Sequence, residues 1–223
     1  VAGVVLQGLL GGLTVRLRLP DLVSVSHAAL AQIVFGLTVA IALVCSRGWT
    51  QAGAPRLDRG VPALSTLASL VAVTIYGQIL LGAIVRHTGA GLAIPDFPLA
   101  YGQLVPPLAS RPVALHFAHR VGAVFVVLLA WGTAWRCWRH YGDQPGLARA
   151  GTMLAVLVAL QVALGGATVL TYKAAWVATL HLGAGALCLA ASVVLALRSR
   201  HLLRLAPSPA SAPLHPVVVE ATR

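Results

Sequence analysis

VALHFAHRVGAVFVVLLAWGTAW, residues 113–135, decides the fold class of this chain. The stretch is apolar for longer than the roughly 20 residues that a helix needs to cross the hydrocarbon core of a bilayer. Near one end it nevertheless carries three ionisable side chains, His116, His119 and Arg120. Ionisable groups inside a membrane are costly and usually mark a functional site. The stretch therefore predicts a membrane-spanning helix that carries part of a site.

The composition of the whole chain is that of a membrane protein. Of its 223 residues, 58% are hydrophobic and 9% are charged, whereas soluble domains carry about 25% charged residues. The net charge is +11, but the basic residues lie in the gaps between apolar runs. This placement is typical of topology signals and argues against a nucleic-acid partner. Cys45, Cys137 and Cys188 have no CxxC spacing, so neither a disulfide framework nor a zinc site is expected.

Six apolar runs predict six membrane helices. Five of them reach spanning length, namely residues 27–45, 64–85, 113–135, 152–171 and 176–197. The run at residues 1–15 is shorter than a full span, so we expect a helix cut at its N-terminal end, with sequence missing upstream. The predicted fold class is all-α: a multi-pass membrane helical bundle of six transmembrane helices.

The gaps between the runs divide and orient the chain. We expect the last two helices of an N-terminal bundle at 1–46, a cytoplasmic linker at 47–62, a C-terminal four-helix bundle at 63–200 and a disordered cytoplasmic tail at 201–223. One side of the membrane receives ten arginines: Arg47, Arg56, Arg59, Arg136, Arg139, Arg149, Arg198, Arg200, Arg204 and Arg223. The other side receives five basic residues: Arg16, Arg18, Arg86, Arg111 and Lys173. The positive-inside rule therefore places the C-terminus in the cytoplasm and the 86–112 loop outside the cell (inner) membrane.

The chain contains an internal repeat. LQGLLGGLTV (6–15) and LQVALGGATV (160–169) differ at three positions, and a histidine follows each block at the same distance, His27 and His181. Both blocks lead into a further apolar helix. The repeat predicts a pseudo-repeat of related four-helix halves, the first of which lacks its opening helices.

The histidines predict a haem site. At 1.5 Å per residue, His119 and His181 lie about 8–9 Å below the outer boundary on two helices of the C-terminal half. Two histidines are too few for zinc, which takes three or four protein ligands, but two facing imidazoles suit a six-coordinate haem. Small residues could flank a haem slot: Gly122, Ala123, Gly165, Gly166, Gly183, Ala184 and Gly185. Arg120 could meet a propionate at the outer edge.

Each of these features also has a simpler explanation. A single membrane histidine often makes only an interhelical hydrogen bond, and glycines often serve close packing alone. His116, one turn outward from His119, could line the site, gate protons or face interfacial water. Arg86 could snorkel or bind an anionic group. The long outer loop at 85–108 is rich in glycine and proline and predicts a packed lid.

Four motifs resemble the haem A synthase (CtaA/Cox15) family. They are GAIVRHTGAGLAIPDFPL (82–99), HFAHRVGA (116–123) and the two LGGxTV blocks with their following histidines. The resemblance covers residues 1 to about 200, with the motifs in the family order. It implies eight transmembrane helices in two four-helix halves, each half offering a pair of haem-ligating histidines.

The resemblance also implies roles for individual residues. His119 and His181 would ligate the iron of a haem b cofactor, with Arg120, His116 and Arg86 beside it. His27 would be the catalytic-site ligand of haem O, the substrate, whose C8 methyl is oxidised to a formyl group to give haem A for cytochrome oxidase. The implied partners are haem O synthase, an electron donor of unknown identity and the lipid bilayer.

Two departures from the family pattern affect this reading. The partner of His27 would lie on a helix outside this chain, so a homo-oligomer would have to be invoked if that helix is absent from the mature protein. Some relatives carry a cysteine pair in the outer loop, where this chain has Ile94 and Ala100. A redox role for loop thiols is therefore not available here.

Two alternatives use the same sequence features. A non-catalytic, quinol-linked di-haem b electron carrier would use the same histidines but would not need the RHTGAGLAIPDFPL loop. A small transporter built from internal repeats would bind no pigment.

Overall fold

The computed structural model describes residues 1–18, 20–58 and 60–205. Within these ranges the chain forms seven α-helices, α1 to α7, and two strands, β1 and β2. The helices are α1 (Ala2–Arg16), α2 (Asp21–Val44), α3 (Arg47–Thr50), α4 (Leu64–His87), α5 (Arg111–Tyr141), α6 (Pro145–Leu170) and α7 (Ala175–Leu202). A short 3-10 turn spans Ala90–Leu92 in the outer loop. The strands β1 (Arg56–Asp58) and β2 (Leu203–Leu205) pair in parallel.

Among the described residues, five helices are long and apolar enough to cross a membrane: α2, α4, α5, α6 and α7. This confirms the all-α membrane bundle but corrects the predicted count of six spans. The difference is α1, which is apolar but has only 15 residues. At 1.5 Å per residue it is about 22 Å long, shorter than the roughly 30 Å hydrocarbon core.

The helices α4 to α7 form a closed four-helix ring. Helix α4 packs against α5 and α7, and α6 packs against the same two helices, so α5 and α7 face each other across the ring. Small residues such as Ala68, Ala130 and Ala191 are buried in the same core as the larger Leu154 and Leu195. Small side chains let membrane helices approach closely, where lipid supplies no hydrophobic driving force between them. Helices α1 and α2 form a hairpin whose second helix lies on α4 and α7.

The start of α4 and the end of α5 are joined through Asp58, whose side chain is buried. Its carboxylate accepts hydrogen bonds from the Tyr141 hydroxyl at 2.5 Å and from the main-chain N–H groups of Leu64 at 2.6 Å and Gly60 at 3.0 Å. Arg136 pairs with the same carboxylate at 3.3 Å. Burial raises the pKa of Asp58, but these hydrogen bonds and the Arg136 charge together hold it below its ordinary value.

Two predicted boundaries differ from the observed elements. The 47–62 segment contains α3 and β1. Residues 201–205, expected in the tail, form the end of α7 and strand β2. Hydropathy could not reveal either strand, because each has only three residues and its pairing partner lies far away in the sequence. The remainder of the predicted tail, 206–223, lies outside the described residues.

Candidate functional site

Three helical hairpins present a histidine in the same way. In α1–α2, α4–α5 and α6–α7, the Cε1 edge of the imidazole lies on a glycine of the preceding helix. A Cβ added to that glycine would lie about as close to the ring in each hairpin: Gly11 to His27 at 3.0 Å, Gly82 to His119 at 2.9 Å and Gly165 to His181 at 3.1 Å. Such distances leave no room for a side chain, so the glycines set how deeply each ring sits.

A glutamine four residues before each glycine contacts the same histidine. In α4–α5, Nε2 of Gln78 donates to the main-chain carbonyl of His119 at 2.6 Å and lies 3.0 Å from Nδ1 of its ring. The amide sits over Gly122, where a Cβ would collide with its oxygen. Gln78 thus holds His119 by the ring and the main chain at once.

The α6–α7 hairpin differs in which group faces Nδ1. Nδ1 of His181 lies 3.2 Å from the main-chain carbonyl of Gln161, while the Gln161 amide nitrogen lies 3.4 Å from Nε2. A carbonyl only accepts hydrogen bonds, so the proton of a neutral His181 ring belongs on Nδ1. This leaves the lone pair on Nε2, the arrangement that metal-bound histidines commonly have.

The α1–α2 hairpin repeats the contact around His27. Nε2 of Gln7 donates to the main-chain carbonyl of His27 at 3.2 Å and lies 3.5 Å from Nε2 of its ring. Nδ1 of His27 is buried and has no hydrogen-bond partner among the described residues. A buried nitrogen of this kind has unused capacity for a ligand.

Two copies of this unit are visible as a sequence repeat, and the third was not predicted. Gln78 and Gly82 in QILLG (78–82) stand in the same register as Gln7 and Gly11, and as Gln161 and Gly165. The third copy is hard to recognise because the long outer loop separates it from His119. Its sequence signal is the Gln-x-x-x-Gly spacing, which is not specific, since it also occurs at Gln32 and Gly36 in α2.

His119 and His181 sit on α5 and α7, the helices that face each other across the four-helix ring. Both rings are partly buried. Within the described part of the chain, no three His, Cys, Asp or Glu side chains cluster as a metal site would require. Paired imidazoles over glycine cradles therefore fit a haem with two axial ligands better than an ion held by protein alone.

Arg120 fastens the outer loop. Its guanidinium donates to the main-chain carbonyls of Leu99 at 2.8 Å, Ile94 at 3.0 Å and Asp96 at 2.8 Å. The group also lies 5.9 Å from the centre of the Phe97 ring. The predicted propionate contact of Arg120 is not tested by this arrangement and stays a prediction.

His116 lies beneath the same loop and is buried. Its Nδ1 accepts a hydrogen bond from the N–H of Ile94 at 3.2 Å, and Nε2 lies 3.3 Å from Nε of Arg120. Both neighbours are donors, so His116 is placed as a support of the loop and of Arg120. Arg86 is exposed at the outer end of α4.

The outer loop is packed. Ile94 and Ala100 are almost fully buried and form a small core with Val113. The Asp96 carboxylate accepts hydrogen bonds from the N–H groups of Gly102 and Tyr101, which hold its pKa below the ordinary value. The loop is thus internally braced and anchored on α5.

The small residues predicted to flank a haem slot contact different groups in the structure. Gly165 faces His181, but Gly166 is covered by the ring of Phe97 from the outer loop. Gly122 and Gly185 lie against the amides of Gln78 and Gln161. Only part of the predicted slot therefore borders an imidazole.

Most of this chain is similar to known proteins. The family model COX15-CtaA, described as cytochrome oxidase assembly protein, matches residues 1–193. The chain is similar to heme A synthase of Symbiobacterium thermophilum, with 35% identity over 184 residues that cover 81% of this chain and 59% of that protein. It is similar to heme A synthase of Methylobacterium radiotolerans, with 32% identity over 225 residues that cover 94% of this chain and 60% of that protein.

A third similarity is confined to a shorter segment. Heme A synthase of Halalkalibacterium halodurans is 41% identical over 107 residues, which cover 48% of this chain and 35% of that protein. The chain spans less than two thirds of the length of all three relatives. The family match includes His27, His119 and His181. The chain belongs to the COX15-CtaA family of cytochrome oxidase assembly proteins.

Proposed function

We propose that this chain acts in haem A synthesis, oxidising the C8 methyl of haem O to a formyl group for cytochrome oxidase. One observation carries the proposal: three hairpins hold a histidine over a glycine with a glutamine beside it, and two of these histidines lie on α5 and α7, which occupy opposite positions in the four-helix ring. The names of the similar proteins support the same reaction class.

His119 and His181 would hold the iron of a haem b cofactor, and the bound haem would supply electron transfer. The rings of His119 and His181 lie directly against Gly82 and Gly165, which sets how closely each ring approaches the preceding helix. The main-chain carbonyl of Gln161 keeps the proton of His181 on Nδ1. These residues bind and orient, and they contribute no proton to the reaction.

His27 would hold the haem O substrate. Its ring is mounted as the other two are, and its buried Nδ1 has no partner in the residues described. The loop that Arg120 and His116 fasten covers the outer end of the α4–α7 ring and places Phe97 against α6. A folded cover of this kind limits the access of water to the outer end of the bundle.

The setting of the reaction would be the cell (inner) membrane, with the C-terminus in the cytoplasm. This orientation is supported by Arg136 and Arg139 near the end of α5 and by Arg198 and Arg200 near the end of α7, because basic residues are enriched on the cytoplasmic side of a membrane protein. Haem O synthase and an electron donor would be partners, since the substrate must be made and the oxidation needs an electron path.

The test is haem extraction from the full chain produced together with a source of haem O. We expect formyl haem in the extract of the wild-type chain. His27→Ala should abolish the formyl product but leave the haem absorbance of the C-terminal bundle, whereas His119→Ala or His181→Ala should remove that absorbance.

Two results would overturn the proposal. Unchanged haem from a coloured wild-type protein would favour a di-haem b electron carrier. A colourless protein in the presence of ample haem would exclude both the synthase and the carrier.

A further inference from the structure

We propose that a cavity where α2, α3, α6 and α7 meet binds the phosphate of an anionic phospholipid headgroup. Its volume is about 250 Å³, against about 30 Å³ for a water molecule, so it has room for a phosphate and the alcohol attached to it. Because α2 and α7 end here and α6 begins here, the cavity lies at headgroup level when the bundle spans a bilayer. Its main lining side chains are Leu43, Trp49, Arg149, Arg198, His201 and Leu202.

The cavity carries positive charge that no carboxylate neutralises among the described residues. Arg149 and Arg198 both line it, and neither takes part in an ion pair within the described ranges. Asp143, the carboxylate next to the start of α6, pairs with Arg56 instead. Two like charges beside one cavity repel each other, and an anion bound between them would relieve that repulsion.

Arg198 is held in a way that leaves donors for a ligand. Its side chain donates from Nη1 to the main-chain carbonyl of Gly146 at 3.0 Å, its one hydrogen bond in the described part of the chain. A guanidinium has five N–H donors, and the remaining ones match the oxygens of a phosphate. The opposite partner of α7 is α3: the rings of His201 and Trp49 stack with 3.9 Å between centroids, and Nε2 of His201 donates to the Trp49 carbonyl at 3.1 Å. These contacts give the cavity a fixed wall.

The surface beside the cavity favours a lipid over a free phosphate. Met153 and Val156 follow Arg149 by four and seven residues, so the three lie on one face of α6. Both apolar side chains are exposed, and this face runs from the cavity towards the bilayer centre, where an acyl chain would cover it. Basic pockets between membrane helices at this level are suited to anionic headgroups.

The test measures how tightly the full chain in detergent binds dioleoyl phosphatidylglycerol and dioleoyl phosphatidylcholine, by native mass spectrometry. We expect phosphatidylglycerol to bind more tightly. Arg149→Gln should weaken its binding about fivefold, the effect of one basic residue on an anionic lipid, and Arg198→Gln should weaken it at least as much. Arg139→Gln is the matched control, because it removes the same charge from an exposed position near the end of α5, and it should change the affinity little.

A second arm distinguishes a lipid from a free anion. Excess inorganic phosphate should leave phosphatidylglycerol bound, and Met153→Asn should weaken its binding. Displacement of the lipid by phosphate, or a Met153→Asn variant of unchanged affinity, would overturn the lipid assignment.

Two results would overturn the site itself: equal affinity for the two lipids, or equal weakening by Arg139→Gln and Arg149→Gln. If Arg198→Gln does not accumulate because it also loses its bond to Gly146, Arg149→Gln decides, since Arg149 is exposed and has no side-chain hydrogen bond within the described ranges. None of these measurements requires haem or the proposed reaction, so the lipid site and the proposed function can fail separately.

Discussion

At the scale of single residues, the absence of a Cβ at a glycine determines where each imidazole lies. Gly82 and Gly77 lie on the same helix, but only a Cβ at Gly82 would meet His119, at 2.9 Å, while one at Gly77 meets nothing within 4 Å. We expect Gly82→Ala to push the ring out of its seat. Overpacking of this kind costs about 1–3 kcal/mol.

This prediction is measured by the haem absorbance and the thermal unfolding temperature of the detergent-solubilised protein. Gly82→Ala should lower both, and Gly77→Ala should lower neither, because alanine is the better helix former. Equal loss of absorbance in the two variants would show that the glycine contact does not position His119.

Arg120 gives a second prediction at this scale. Its guanidinium donates to the carbonyls of Ile94, Asp96 and Leu99 from several nitrogens, a geometry that lysine cannot reproduce. Each hydrogen bond from a charged donor contributes about 1.5–3 kcal/mol, so Arg120→Lys should speed hydrogen exchange in residues 94–102 by about tenfold or more.

The control for the loop is Arg111→Lys, which changes an exposed arginine at the start of the same helix. It should leave exchange in the loop unchanged. If Arg120→Lys also leaves it unchanged, the loop is held by its own Ile94 and Ala100 core rather than by α5.

The residue scale also shows how much of the site could be predicted from the sequence. His27, His119 and His181 stand out because histidines are rare and costly in apolar runs. Gln78 does not stand out, since its importance comes from contact with a residue on another helix beyond the outer loop. Likewise, the hydrogen bonds of Arg120 to the outer loop could not be predicted, because its main-chain acceptors carry no signature in the sequence.

At the scale of elements, Asp58 joins β1 to the first turn of α4 and to the end of α5. Its pKa is below the ordinary value of a carboxyl group, so its ionised form stabilises the fold. This contribution is complete above the unfolded-state pKa of about 3.9. It is lost as the pH falls through the lower pKa of the folded state.

The corresponding test is thermal unfolding of Asp58→Asn. At neutral pH the variant should be less stable by about 1–3 kcal/mol, the cost of weakening hydrogen bonds to a charged group, and the difference from wild type should shrink as the pH is lowered below about 4. Asp143→Asn is the control, because Asp143 pairs with Arg56 at an exposed position and exposed pairs contribute little. A constant difference at all pH values would contradict the role of the charge.

Helix bounds were predicted less well than helix existence, for a physical reason. The apolar run 113–135 lies within a helix that extends from Arg111 to Tyr141. Hydropathy marks only the apolar part of a helix, the part that matches the hydrocarbon core. The α5 backbone continues as a helix beyond that part, and there Arg136 and Tyr141 contact Asp58.

At the scale of the whole molecule, the orientation in the membrane can be tested with the native cysteines. Cys45 is exposed at the end of α2, whereas Cys137 and Cys188 are buried. A membrane-impermeant maleimide should therefore label Cys45 alone, and only from the cytoplasmic side. Labelling should occur in inside-out vesicles, not in intact spheroplasts, and Cys45→Ser should abolish it. Labelling of spheroplasts would reverse the proposed topology.

The ring of α4 to α7 was predicted as a four-helix bundle, but the diagonal position of α5 and α7 was not. Run length and charge balance determine how many helices cross and which way they point. The order of helices around a ring depends on side-chain fit between neighbours, which a single sequence does not express. The matched depth of His119 and His181 was the one sequence feature that implied they face each other.

The parallel pairing of β1 with β2 has a consequence for the order of assembly during synthesis. Strand β1 precedes α4, and β2 directly follows α7. The junction between the two repeats thus leaves the ribosome well before the strand that it pairs with. Strand β1 can pair with β2 only after all four later helices have entered the bilayer. The pairing of the two strands therefore marks completion of the C-terminal bundle.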